Sequence, residues 1–154
     1  MRFREAVDAT AELRGACLPG LQALKESDRN RIQCADTRRL KGSIDLEVRL
    51  KDHYREYPQW DYGIGWLEAA GRECAIWVEV HPASSGHVDD MIRKVTWLKN
   101  WLRNHAPCLK SLTRVENGYA WVATAGISFR PGSPQAQKLT RAGVSFPQKQ
   151  LRLN

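Results

Sequence analysis

The sequence predicts an α/β fold, a central mixed β-sheet flanked by helices, and three observations carry that prediction. Two apolar runs, about 61–68 and 74–81, are separated only by a turn at Ala70-Gly71-Arg72 and read as a hairpin. Residues 87–104 follow, with Val88, Met91, Ile92, Val95, Leu98 and Leu102 on one face at helical spacing. A further strand-like run, 119–129, comes after that helix, which makes the helix a crossover between strands. At 154 residues, 1–154 form one domain, long enough to bury roughly two thirds of its unfolded surface.

Around this centre the remaining elements fall into order. Residues 3–26 carry an imperfect helical stripe of Val7, Leu13, Leu18, Leu21 and Leu24, which Pro19-Gly20 breaks or kinks. A short strand is expected at 32–35. A longer one is expected at 40–50, where Ile44, Leu46, Val48 and Leu50 alternate with Asp45, Glu47 and Arg49. Residues 51–59 are polar, end at Pro58 and read as a loop or short helix. Ser84 or Ser85 is placed to cap the 87–104 helix, Asp89 and Asp90 suit its first turn, and Pro107 stops it. The 119–129 run is apolar on both faces and so predicts a central strand. Ser133-Pro134 opens a last helix, Gly143 closes it, and 144–146 adds an edge strand. The sum is an α-β-β-β-α-β core.

Composition bounds the function. Apolar residues at 42% and charged ones at 27% exclude a disordered chain. No apolar run approaches the ~20 residues of a membrane span, and the basic N-terminus lacks the apolar stretch of a signal, so a cytoplasmic protein without a membrane partner is expected. Cys17, Cys34, Cys74 and Cys108 have no paired spacing and read as reduced thiols. The net charge of +7 favours an anionic partner, nucleic acid first. Arg29, Arg31, Arg38, Arg39 and Lys41 crowd one region and are the candidate nucleic-acid-binding residues; Lys138, Arg141, Lys149 and Arg152 decorate the C-terminal end.

Two acids stand out against their surroundings. Asp61 opens one apolar run, and Glu79 lies inside Ile76-Trp77-Val78-Glu79-Val80. An unpaired carboxylate costs several kcal/mol to bury, so each needs a cation, a proton or a strong donor. Acids on neighbouring strands are the minimum set for a hard divalent ion, and Asp61, Glu79 and the Val80 carbonyl would hold Mg²⁺ or Mn²⁺ with several waters. Asp45, or Glu47 on the same run, would add a third carboxylate from the adjacent strand, and Glu5 or Glu12 would do so from the first helix. The alternatives are a turn cap for Asp61 and an arginine ion pair for Glu79.

The element order with acids at these places resembles the PD-(D/E)XK nuclease superfamily over about residues 3–129. The resemblance implies a metal-dependent cut of nucleic-acid phosphodiesters, with Asp61 as the first acid and Glu79-Val80-His81 as the second cluster. His81 stands where that pattern has Lys, and a neutral imidazole is a weaker electrostatic clamp. Some members supply the lysine from the following helix, which here points to Lys94, with Lys99 as the alternative. The set Asp61, Glu79, His81 and Lys94 is therefore the expected catalytic group. The competing expectation is a catalytically inactive module of the same fold that binds nucleic acid or protein. Many members are dimers, so a homodimer or protein partner belongs among the expectations.

Three further features have ordinary readings beside the functional ones. His81 and His87 make a poor zinc pair without a third ligand. Gly63 and Gly65 leave room for a ligand or for close packing. Trp97 and Trp101 either cover the sheet or stack on bases, and the first is favoured.

Overall fold

The computed structural model describes residues 1–154 throughout. In chain order the elements are α1 (Phe3–Asp8), α2 (Glu26–Arg29), β1 (Ile32–Cys34), β2 (Leu40–Asp45), α3 (Leu46–Leu50), β3 (Tyr62–Leu67) and β4 (Glu73–His81). They continue with α4 (Val88–His105), α5 (Pro107–Leu112), β5 (Tyr119–Ala123), α6 (Pro134–Ala142) and β6 (Leu151–Leu153). The main sheet has the order β2-β3-β4-β5. The β2–β3 and β3–β4 pairs are antiparallel, and β5 returns parallel to β4 after the α4–α5 crossover. This is the mixed α/β sheet the sequence predicts.

Side-chain alternation sorts the sheet into two faces. Trp77 and Trp121 point into a layer built by α1, α4, α5 and α6, where Phe3, Met91, Leu98, Leu109 and Leu139 are buried. Ile64, Trp66, Ile76, Val78 and Val122 point the other way, under Leu24, Ile32 and Leu153. That second cover is a two-stranded parallel ribbon, β1 with β6. No helix is long and apolar enough to cross a membrane.

Where the elements depart from the sequence reading, local chemistry explains it. The 3–26 stripe yields α1 and one 3₁₀ turn, Ala11–Leu13: Thr10 turns its hydroxyl back onto the Ala6 carbonyl, and Gly15 takes a φ of +78°. Asp8 then closes the loop by accepting from the Gly15 N–H. The 40–50 strand ends at Asp45, whose carboxylate caps α3 by accepting from the Val48 N–H at 3.0 Å. Leu46 and Leu50 are buried and Val48 is 54% exposed. Spacing of four residues suits both periods, so the Leu46–Leu50 pair reads as strand or helix alike.

Pro107 ends α4 and also starts α5 at its first position. The 119–129 run is a strand only to Ala123 and lies at the end of the hydrogen-bonded order rather than at its centre. It is apolar on both sides because both faces are layered, and its outer edge bonds Ser145 and Gln148. Residues 144–146 give a single bridge from Val144 to Tyr119, not a strand. The cap at Ser133 and the left-handed Gly143 of α6 agree with the sequence.

Candidate functional site

The β3–β4 register decides which acids meet. Tyr62 pairs with Val78, so Asp61, one residue before β3, lies across from Glu79. The Asp61 N–H donates to Glu79 Oε1 at 2.9 Å, and the Val80 N–H donates to Asp61 Oδ2 at 2.9 Å. The α3 side of the site is fastened to the same residue, because the Leu46 N–H donates to the Asp61 carbonyl. Lys94 arrives from the second turn of α4 and donates its ammonium to Glu79 Oε2. Period-two alternation makes this possible: Glu79, like Trp77, points into the helical layer.

Burial sets the electrostatics. Glu79 is 1% exposed and the Lys94 side chain 24%. Burial, then repulsion from Asp61, pushes the Glu79 carboxyl up to about 8, against the pull of Lys94. Burial likewise pushes Asp61 up to about 6, opposed by the Val80 N–H and by Lys94. Two acids and one ammonium thus share a low-dielectric corner, short of positive charge.

That corner opens to solvent. Asp61 and Lys94 line a cleft of about 290 Å³ with Glu47, Lys51, Arg55, Tyr57 and Gln59. Larger clefts lie elsewhere. One of about 400 Å³ holds Glu68, Arg72 and Arg114, whose charges face one another at 3.7–3.8 Å. Another, of about 410 Å³, runs along the outer edge of β5. The first also carries Glu73 and Glu116, with Glu68 facing both arginines; the second is lined by no acidic side chain.

The donor chemistry fits a hard divalent ion in a sparse way. Both protein ligands would be carboxylates, and no protein group donates to Asp61 Oδ1. Glu79 has both oxygens engaged, one of them by Lys94. No three acidic, histidine or cysteine side chains gather into a metal-holding group. A Mg²⁺ ion is commonly held by one or two carboxylates and its own waters, which this pair can satisfy once Lys94 releases Glu79 Oε2.

Other expected residues have different occupations. Asp45 does not join the acids, since its carboxylate is used as the α3 cap; Glu47, on the next turn, faces the cleft instead. Glu12 binds the Tyr54 hydroxyl and the Trp101 indole, and Glu5 lies beside Arg2. Lys99 bonds the Ala142 carbonyl at the end of α6. The His81 ring bonds the Pro82 carbonyl through Nδ1 at 2.9 Å and packs edge-on against His87. Burial lowers its pKa, and no hydrogen bond joins it to either acid.

The arginines of the basic region are each bonded to the protein. Arg29 bonds the Leu24 carbonyl, Arg31 the Ala123 carbonyl, Arg38 both oxygens of Asp36, and Arg39 the Leu67 carbonyl while lying over Trp66. Arg38, Arg39 and Lys41 sit at the Leu40–Trp66 end of the sheet, about 17 Å along the strands from Asp61. Gly63 and Gly65 serve packing: a Cβ on Gly65 would meet the Phe3 ring at 2.5 Å, and one on Gly63 the Trp77 ring at 2.6 Å. Trp97 and Trp101 pack against the core.

Sequence reasoning missed the wall of the cleft. Lys51, Arg55, Tyr57 and Gln59 all come from the segment read as a loop or short helix with no site role, although it interleaves basic and aromatic residues directly before Asp61. Comparison with family models, with curated proteins and with solved structures finds no match to this chain.

Proposed function

We propose that the chain is a metal-dependent phosphodiesterase of the nuclease type, working at Asp61, Glu79 and Lys94. The convergence of these three groups carries the reading: they come from the start of β3, the end of β4 and the second turn of α4, with Asp61 and Lys94 lining a cleft beside Lys51 and Arg55 and Glu79 buried behind them. Helical layers of a stable domain do not need a buried acid pair at a cleft, and a Glu79–Lys94 pair alone would not require Asp61 beside it. The PD-(D/E)XK resemblance, which rests on element order and these acids, supports the same chemistry.

In this reading Asp61 and Glu79 would hold Mg²⁺ or Mn²⁺. The ion, when bound, supplies a water of lowered pKa and charge neutralisation at the scissile phosphate. Lys94, whose ammonium now bonds Glu79 Oε2, would be released by metal binding to steady the phosphate and orient the water. The Val80 N–H orients the Asp61 carboxylate through Oδ2 and leaves Oδ1 without a protein donor. His81 keeps its Nδ1 proton on Pro82 and takes no part in holding the pair.

The test is calorimetric titration of Mg²⁺ and Mn²⁺ into wild type, Glu79→Gln and Lys94→Met, with cleavage of labelled DNA and RNA on the same samples. Wild type binds metal and cuts. Glu79→Gln loses the binding heat, and both variants cut more slowly by a factor on the order of 10²–10³. Wild type that binds neither ion ends the catalytic reading. The engagement of Glu79 by Lys94 would then mark a scaffold that binds nucleic acid without cutting it.

A further inference from the structure

We propose that residues 51–59 are the grip for single-stranded nucleic acid, with Lys51 and Arg55 on the backbone phosphates and Tyr57 stacked on an unpaired base. The inference rests on the phosphodiester reading and adds its substrate class. Tyr57 is 59% exposed and shares the cleft with Asp61 and Lys94. Its ring is not loose. It packs edge-on against Tyr54 at 6.4 Å, Tyr54 packs edge-on against Trp97 at 5.4 Å, and Trp97 stacks on the buried Trp101 at 6.3 Å.

Hydrogen bonds brace the same segment. The Tyr54 hydroxyl donates to Glu12 at 2.9 Å, and the Gln59 amide and the Tyr57 N–H both donate to the Tyr54 carbonyl. A row of aromatics rooted in the core thus holds one large ring face in solvent, beside the acid pair. A platform set before binding loses little entropy when a base lands on it. Bases in a duplex have their faces covered by neighbours, so an aromatic platform takes an unstacked base.

The cations of this segment are also free to act. Lys51 has no ion pair, and the nearest acid to Arg55 is Asp52 at 3.8 Å, with both side chains at least three-quarters exposed. Such a pair contributes little and yields to a phosphate. Arg29, Arg31, Arg38 and Arg39, by contrast, are bonded to the protein. Glu47 lies one turn before Lys51 on the same side, so the wall is acidic towards Asp61 and cationic farther out. That gradient keeps flanking phosphates at Lys51 and Arg55.

The experiment is fluorescence anisotropy in chelator, with a labelled oligothymidylate and a blunt duplex of equal length, over a range of salt. Wild type binds the single strand more tightly. Tyr57→Ala weakens that binding about tenfold without changing its salt dependence, and Tyr57→Phe restores it. Lys51→Gln with Arg55→Gln makes the log–log salt slope shallower by about 1.4. Tighter duplex binding, or a Tyr57→Ala protein that binds like wild type, overturns the grip.

Because chelator removes cutting, this result is separate from the catalytic one. Metal-dependent cutting with binding indifferent to Tyr57 overturns the grip and keeps the enzyme. Tyr57-dependent binding by a protein that never cuts does the reverse.

Discussion

Asp61 is held in a state that favours its proton, and this has a measurable sign. Its carboxyl is pushed up to about 6 from an ordinary 3.8, chiefly by burial. The folded protein therefore binds that proton more tightly than the unfolded chain. The associated stability is fully present below about pH 4 and is lost as pH rises through about 6. Two pH units correspond to about 3 kcal/mol, or a fall in Tm on the order of 5–10 °C for a chain of this size. Thermal unfolding in chelator between pH 4 and 7 should show this fall, and Asp61→Asn should make it shallower while Glu79 keeps part of it. A slope unchanged in Asp61→Asn would mean that this carboxyl is ordinary. Glu79, raised for the same reason, extends the decline towards pH 8. The charged residues of this corner were legible because a carboxylate in an apolar run has few uses. Lys94 was legible because the second helical turn after a strand lies beside that strand's end. Lys51, Arg55 and Tyr57 were not, since polar residues outside a periodic element give no sign of which wall they build.

At the scale of the element, Asp45 shows how one carboxylate is diverted from a site. It ends β2, and its side chain satisfies the Val48 N–H in the first turn of a five-residue helix. Asp45→Ala should cost about 1 kcal/mol of stability, read by chemical denaturation, and Asp45→Asn should cost less. Both should titrate with Mg²⁺ as wild type does. A loss of metal affinity in the two variants would return Asp45 to the site. The same stretch explains why the hairpin and α4 were readable and 40–50 was not. β3, β4 and α4 repeat one period over six, nine and eighteen residues. Leu46 and Leu50 repeat only once, at a spacing common to both periods, and the cap at Asp45 decides for helix. β1 was legible as a short strand at 32–35, but β6 and their pairing were hidden: a strand of three residues with its partner more than a hundred positions away leaves no local pattern.

For the molecule as a whole, a net charge of +7 speaks for an anionic partner without saying where it lies. The fold separates two groups of cations by the length of the sheet. Lys51, Arg55 and Lys94 are at the acid pair, while Arg38, Arg39 and Lys41 are at the far end, two of them committed to Asp36, Leu67 and Trp66. The far group adds to the long-range field that draws a polyanion in, and that field is screened within about 10 Å at 0.1 M salt. In the proposed reading the near group would make the contacts that displace counterions, which is the quantity a salt slope counts. Replacing Arg38 and Lys41 by Gln should therefore slow association at low salt and leave the slope of single-strand binding close to that of wild type. Stopped-flow association and equilibrium anisotropy from low to physiological salt measure the two effects. If the far pair lowers the slope as much as Lys51 and Arg55 do, the nucleic acid crosses the Leu40–Trp66 end. The strand would then run along the whole sheet, and its bound length, rather than the cleft alone, would set the affinity.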